Sequence, residues 1–235
     1  MKTRNYFLVA ASLLALAAAP ALAYEEGAWI LRGGVGTVQP KSNGLTISDE
    51  DFGSVIFDVD DATNMTLNAT YMFTRHWAFD VLAALPFEHD IYATLDFDSV
   101  SEKVKIAETK QIPATFSVQY HFLPDNAFQP YAGLGFNWTT FSSTRFVSLP
   151  SSMFEGSEIE YEEFGGLKID DSFGLALQVG GDWNIGERMV LNFDVRWFDI
   201  DADTYYLDPS ISGEEKLGSM KVDPFLYALN LGFHF

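Results

Sequence analysis

Apolar and polar residues alternate along most of this chain, and eight separate segments keep the alternation. In the last, residues 225–235, Phe225, Tyr227, Leu229, Leu231, Phe233 and Phe235 share one parity, while Ala228, Asn230, Gly232 and His234 share the other. A period of two sends successive side chains to opposite faces, so this segment predicts a strand with two unlike faces. Residues 189–199 repeat the pattern, with Met189, Leu191, Phe193, Val195 and Trp197 against Asn192, Asp194 and Arg196. Residues 173–183 do so with Phe173, Leu175, Leu177, Val179 and Trp183 against Gln178 and Asp182, preceded by Ser172 on the polar side.

Four more segments alternate as clearly. In residues 112–122, Ile112, Ala114, Phe116, Val118, Tyr120 and Phe122 oppose Thr115, Ser117, Gln119 and His121. In residues 77–87, Trp77, Phe79, Val81, Ala83, Leu85 and Phe87 oppose Ala78, Asp80 and Glu88. Residues 65–73 set Met65, Leu67, Ala69, Tyr71 and Phe73 against Thr66, Asn68 and Thr70, and residues 131–141 set Ala132, Leu134, Phe136 and Trp138 against two glycines, Asn137 and Thr139. The first segment, residues 29–38, is glycine-rich, and only Arg32 tells its faces apart.

The connections fall into two kinds. Thr74, Arg75 and His76, the stretch around Pro124, Asp125 and Asn126, and residues 184–188 make tight turns, whereas residues 41–62, 92–111, 142–170 and 200–224 make long connections. Short and long alternate strictly, as in an up-and-down barrel with short turns on one side of a membrane and long loops on the other. The fold class expected is therefore all-β: an eight-stranded antiparallel transmembrane β-barrel. A soluble β-sandwich or lipocalin-like barrel also alternates, so the placement of aromatics has to decide. The apolar parity carries Tyr71, Phe73, Trp77, Tyr120, Phe122, Trp183 and Phe235 near the short turns, and Trp138, Phe141, Phe173, Trp197, Phe225 and Tyr227 near the long connections. Two aromatic belts match the two interfaces of a bilayer.

The N-terminus supplies the route to that membrane. Lys2 and Arg4, an apolar run and the small-residue box around Ala21 and Ala23 read as a secretory signal peptide, so residues 1–23 are expected to be removed and residues 24–235 to form the barrel. No later stretch approaches the roughly 18 uninterrupted apolar residues of a membrane helix. Removing the leader takes two of 14 basic residues and none of the 33 acids, leaving 12 against 33, a net charge of −21. Such a chain is a poor nucleic-acid partner, since phosphate backbones demand clustered Lys and Arg. With no cysteine, the fold rests on packing and backbone hydrogen bonding.

Eight strands leave an interior just wide enough for side chains, so an open pore is not the default. Read by depth, the inward parity places Arg32, Asp80, Gln119, His121, Asp182, Asp194 and Arg196 in the lower and middle barrel, and Val38, Leu82, Pro86, Phe198 and Leu226 nearer the loops. Buried charges persist only when paired, which predicts a hydrogen-bonded network of the Arg and Asp members. That network either merely fills the barrel or also gates it; in both cases it bars straight passage. Pro86 cannot donate to a sheet ladder and Pro113 opens the next segment on its loop side, so both weaken one seam, unless Pro86 is an ordinary strand end or bulge.

The chain also resembles the outer membrane protein W (OmpW) family, which includes alkane-uptake relatives. The resemblance runs through WILRGGVGTVQP (29–40), NATYMFTRHWAFDVLAALPFEHD (68–90), PATFSVQYHF (113–122), PYAGLGFNWTTF (130–141), DSFGLALQVGGDW (171–183), NFDVRWFDID (192–201) and the closing VDPFLYALNLGFHF, and departs in the acidic long loops. It implies an outer-membrane barrel that admits small apolar substrates without catalysis, and lateral opening at the PF block, Pro86 and Phe87. The substrate path expected is thus Val38, Leu82, Pro86, Phe87, Pro113, Phe198 and Leu226. Surrounding partners would be outer-membrane lipids and lipopolysaccharide, and the terminal Phe235 resembles the signal read by the barrel-assembly machinery.

Other motifs point elsewhere only faintly. Asp49, Glu50 and Asp51, and Asp58, Asp60 and Asp61, could attract Ca²⁺ but complete no binding loop; a solvated outer loop near divalent-bridged lipopolysaccharide is the better reading. Residues 158–164 read as a short helix or a polar loop. His76, His89, His121 and His234 have no metal-site spacing, and no cofactor is expected. Two alternatives to transport stay open: a structural or adhesion barrel with a packed interior, and a lipid-modifying enzyme, for which His89 with a loop serine is the one faintly suitable pair.

Overall fold

A computed structural model describes residues 24–41, 45–49, 53–97, 100–147, 166–208 and 213–235. Eight strands close the barrel: β1 (Trp29–Gln39), β4 (Ala62–Met72), β5 (Trp77–Ala84), β7 (Val100–His121), β8 (Phe128–Phe146), β10 (Ser172–Asn184), β11 (Met189–Phe198) and β14 (Phe225–His234). Neighbours in that order are antiparallel, and β1 pairs with both β4 and β14, so the ring has no free edge. Val35, for example, lies opposite Met65 on one side and Leu229 on the other. Closure is what lets a sheet sit in hydrocarbon, because every backbone N–H and C=O then has a partner within the wall.

Burial alternates as the sequence pattern requires, but the polarity is that of a water-soluble protein turned inside out. Thr66, Asn68 and Thr70 are buried in the lumen, while the intervening Met65 and Leu67 are 59% and 60% exposed on the outer surface. Leu134 (60%), Phe173 (71%) and Leu229 (58%) continue this apolar outer band around the wall. A sandwich or lipocalin would hide those residues and show the threonines; only lipid makes this arrangement favourable. The belts form at both rims, with Trp29 against Tyr71 (5.0 Å between centroids) and Trp77 against Tyr120 (4.9 Å) at the short-turn end, and Phe136 against Phe173 (5.2 Å) nearer the loops. Phe141 departs from the expected belt: it is half-buried and packs against the apolar cluster inside.

The long connections contain more strand than alternation suggested. Residues 92–97 and 100–111 pair with each other as arms of β6 (Phe87–Phe97) and β7, and β7 and β8 stay paired up to Ala107 and Phe146. β2 (Leu45–Asp49) and β3 (Gly53–Val59) extend this sheet through β6, while β9 (Gly166–Ile169), β12 (Asp201–Asp208) and β13 (Gly213–Lys221) form a separate three-stranded sheet. Pattern reading missed these elements because above the membrane the outer face meets water, and the contrast between faces vanishes. There the outer face carries ion pairs, Lys110 to Glu88 at 2.6 Å, Lys105 to Asp90 at 2.7 Å and Arg145 to Glu108 at 2.7 Å. Glu50, Asp51 and residues 158–164 lie outside the described residues, as does the expected leader.

Glycine relieves crowding where the wall is tightest. A Cβ on Gly135 would lie 2.0 Å from the Phe116 carbonyl oxygen and 2.6 Å from the Ser117 Cα, both backbone atoms that cannot swing aside. Gly135→Val is therefore expected to lower stability by about 1–3 kcal/mol, the cost of overpacking. Urea unfolding in lipid vesicles reads this directly, and an unchanged midpoint would show that the wall yields.

Candidate functional site

The lumen is built in three layers, set by which residue types fall on the inward parity at each depth. At the short-turn end an apolar floor joins Tyr24, Ile30, Met72, Ala78 and Val190, all buried. Tyr24 precedes the first strand and carries no periodic signal, so sequence reasoning had no means of placing it. Its ring meets His121 and His234 edge-on at 5.7 and 5.6 Å, and its hydroxyl donates to Asp182 at 2.8 Å.

Above the floor lies the polar layer, where the structure brings Arg32, Asp80, Asp182, Asp194 and Arg196 together. Arg32 grips Asp182 with two parallel bonds, Nε to Oδ1 at 2.9 Å and Nη2 to Oδ2 at 2.5 Å, the planar fork a carboxylate accepts best. Its remaining arm donates to Thr70, which passes a hydrogen bond to Asp80 at 2.6 Å. Arg196 bridges Asp80 and Asp194, each at 2.8 Å. Gln178 ties Asp194 to Ser117 and Gln119, and His121 Nε2 meets the Gln119 side-chain oxygen at 3.2 Å, so His121 joins at the edge through Gln119. Asn192 and Asn230 extend the layer from Asp182 towards Thr66. Thr70, Gln178, Asn192 and Asn230 all sit on the inward parity, so their neutral side chains could have been included from sequence. Two guanidinium groups and three carboxylates, all at most 2% exposed, close the bore across its middle.

The outer layer is apolar. Val38, Leu82, Phe87, Phe198 and Leu226 pack with Ala62, Ala176 and Ile200 into one buried cluster. Five of the seven expected path residues therefore touch a common core; Pro86 is half-buried beside it and Pro113 is buried. The chamber is filled by its own side chains, and the cavity directly outside it is only about 20 Å³, room for one water.

Phe87 lies inside this chamber, although strict alternation would have put it on the lipid face and Glu88 in the lumen. The β5–β7 ladder ends at Ala83 opposite Ala114, and the β6–β7 ladder begins at Phe87 opposite Gln111. Three residues, Ala84, Leu85 and Pro86, thus face two, Ile112 and Pro113. This one-residue bulge reverses the parity, turning Phe87 and His89 inward and Glu88 outward. Pro113 is accordingly not at a strand start, as expected, but inside the 22-residue β7.

On the other side of the same corner the wall also lapses. β4 and β5 pair from Met72 with Ala78 up to Thr66 with Ala84, and β3 and β6 resume the same hairpin from Val59 with Ile91. Between them the strands are joined at the lips by Leu85 N–H to Met65 O and Asp60 N–H to Asp90 O, both 3.0 Å. Side chains span the gap: Asn64 Nδ2 donates to the Pro86 carbonyl at 2.8 Å, and His89 Nδ1 meets the Asp60 carbonyl at 2.7 Å. No group of acids, histidines or cysteines among the described residues is arranged to hold a metal ion.

A closed antiparallel barrel with an apolar outer surface, two aromatic belts and a plugged lumen defines an integral outer-membrane barrel of the small, non-porin class. The chain belongs to the OmpW family, whose profile matches residues 25–235. It is 32% identical over 226 residues to outer membrane protein W of Vibrio cholerae, covering 96% of each chain, and 30% identical over 230 residues to that of Escherichia coli, covering 97% and 98%. The crystal structure of the outer membrane protein OprG from Pseudomonas aeruginosa superposes with a TM-score of 0.71 at 32% identity, covering 91% of this chain and 98% of that one. These relatives carry the names of outer membrane proteins and none indicates an enzymatic activity.

Proposed function

We propose that this barrel is a passive route by which small hydrophobic molecules pass from the cell exterior into the outer membrane. The observation that carries the reading is the position of Phe87: it belongs to the apolar chamber and also follows directly on Pro86, where the wall lapses on both sides of one corner. An apolar molecule entering from the loops gains burial against Val38, Phe198 and Leu226, meets the charged layer below, and has a sideways exit at Leu85 and Pro86. The substrate displaces the cluster as it passes, so the packed chamber is the closed state. Lipopolysaccharide and lipids contact the apolar band, and Phe235, 67% exposed, is available to the assembly machinery.

Proline at both sides of the corner withholds ladder donors. Replacing Pro86 and Pro113 together by valine is expected to knit the seam and cut uptake of a short alkane several-fold, at matched surface abundance and envelope integrity. Unchanged uptake overturns the lateral exit. The filled chamber also suits a purely structural barrel, and that second reading wins if cells with and without the protein take up the alkane equally.

A further inference from the structure

Just above the apolar outer band, β7 and β8 each carry one extra residue, and the two bulges gather charge on one outward patch. The β6–β7 register passes over Ile106, so Lys105, which simple alternation would send inward with Ala107 and Thr109, comes to lie outward opposite Tyr92. In β8 the extra residue is Ser143, at φ 53°: Lys110 faces Ser142, Glu108 faces Arg145, and between them the hydroxyls of Thr109 and Thr144 meet at 2.9 Å. Lys110 and Arg145 thereby line an outer hollow of about 260 Å³ together with Glu88, Asp90 and Glu108, and Lys105 bonds to the last two at 2.7 and 2.8 Å.

In a chain with 33 acids against 14 basic residues, these three cations balance their three carboxylates, so an anion meets less repulsion here than over the acidic loops. The cations also have donors to spare. Both bonds from Arg145, Nε at 3.1 Å and Nη2 at 2.7 Å, end on one oxygen of Glu108, which leaves further guanidinium N–H groups, and Lys110 reaches Glu88 with a single contact at 2.6 Å. The side chains are 73% and 42% exposed, and ion pairs in water contribute little, so either cation can take a second anionic partner. Depth selects the partner. The next outward rungs below Lys110 and Ser142 are Ile112 with Thr140 and then Ala114 with Trp138, in the loop-side aromatic belt, which puts the hollow at the level of the lipid head groups.

We propose that Lys110 and Arg145, with Lys105 beside them, form a head-group site for the phosphorylated glucosamine of lipopolysaccharide. A phosphate oxygen accepts from the spare guanidinium donors of Arg145 and another from the Lys110 ammonium, the charge-assisted geometry that phosphates favour. The acyl chains run down the wall over Phe116 and Phe136, whose rings stack at 5.2 Å on the lipid face. Two attachments, one ionic and one apolar, separate this ligand from a free phosphate. The site adds a fixed head group to the lipid contact proposed above and does not depend on what the chamber carries.

The test places the full barrel in phosphatidylcholine nanodiscs doped with lipid A, in its bisphosphorylated or its phosphate-free form, and counts by native mass spectrometry the lipid A molecules that stay on the protein. The bisphosphorylated form is expected to be retained several-fold more. Lys110→Gln combined with Arg145→Gln should lower its retention about tenfold, as loss of two cations at a charged membrane surface would. Lys168→Gln with Lys216→Gln changes the net charge equally on the separate three-stranded sheet and should leave retention unchanged, while Glu88→Gln, which releases Lys110, should raise it. Equal retention of the two lipid forms overturns the head-group site and leaves contact with the apolar band standing. Equal losses in the two double variants overturn it too, since the effect would then be one of overall charge. Inorganic phosphate at millimolar concentration should not displace the lipid; displacement would show a site for any phosphate and overturn its assignment to a lipid.

Discussion

Cysteines placed at Met65 and Leu85 are expected to reduce hydrophobic uptake by at least tenfold when oxidised and to restore it on reduction. These residues face each other across the lower lip of the interrupted wall, joined by the bond from Leu85 N–H to the Met65 carbonyl. Both side chains point to the lipid, 59% and 52% exposed, so the pair leaves the chamber and both prolines intact. A disulfide holds its two Cα atoms within about 4.4–6.8 Å, the separation of a paired rung, and so pins the Leu85–Pro86 corner to β4. An alkyl chain leaving between the strands needs that corner to move outwards by several ångströms. The chain contains no other cysteine, so only one bridge can form, and comparing oxidised and reduced protein in the same cells removes differences in expression. Equal uptake in both states would show that the molecule leaves elsewhere or is not carried.

The second large effect is on stability. Arg32→Met is expected to destabilise the barrel by about 3–5 kcal/mol, because it strips a buried carboxylate of its bidentate partner. Asp182 would keep only the Tyr24 hydroxyl at 2.8 Å and the Asn192 amide at 2.8 Å, while Thr70 would lose the arm that links it to Arg32. Asp80, 3.9 Å from Arg32, would also lose a nearby opposite charge. Pairing Arg32→Met with Asp182→Leu removes both charges at once, and the loss should then be smaller than in the single variant, since no carboxylate is left stranded. Urea unfolding in vesicles measures all three proteins. A single-variant loss below about 1 kcal/mol would mean that water reaches the layer and screens it.

Much of this architecture was legible in the chain because lipid makes the rule for a wall strand simple. Every second residue from 65 to 73 or from 225 to 235 must be apolar, and whatever lies between must fit a narrow lumen. Arg32, Asp80, Asp182, Asp194 and Arg196 declared themselves in this way, since a charge on the other parity would face hydrocarbon. Less legible were the partners of those charges. Thr70 and Asn192 look like any polar lumen residue, and nothing in the spacing of Tyr24 shows that it turns back beneath Asp182. The same rule misled at residues 84–87, where one extra residue reverses the parity and period-two reading carries Phe87 outward past the bulge; Phe141, expected in the belt for its aromatic ring, lies inward on the parity of Asn137 and Thr139.

What the sequence determined by itself is the barrel: the strand count, which face meets lipid, the side bearing the long connections, and the depth at which charge gives way to apolar side chains. These follow from local periodicity and solvent, which act on each strand separately. Only the tertiary structure decided how the two arginines divide three carboxylates, that the outer chamber is filled, and that the wall lapses on both sides of the Leu85–Pro86 corner with His89 turned inward beside it. Those features depend on register between strands far apart in sequence. A one-residue slip against β7 is invisible in either strand alone, yet it turns Phe87 and His89 into the lumen.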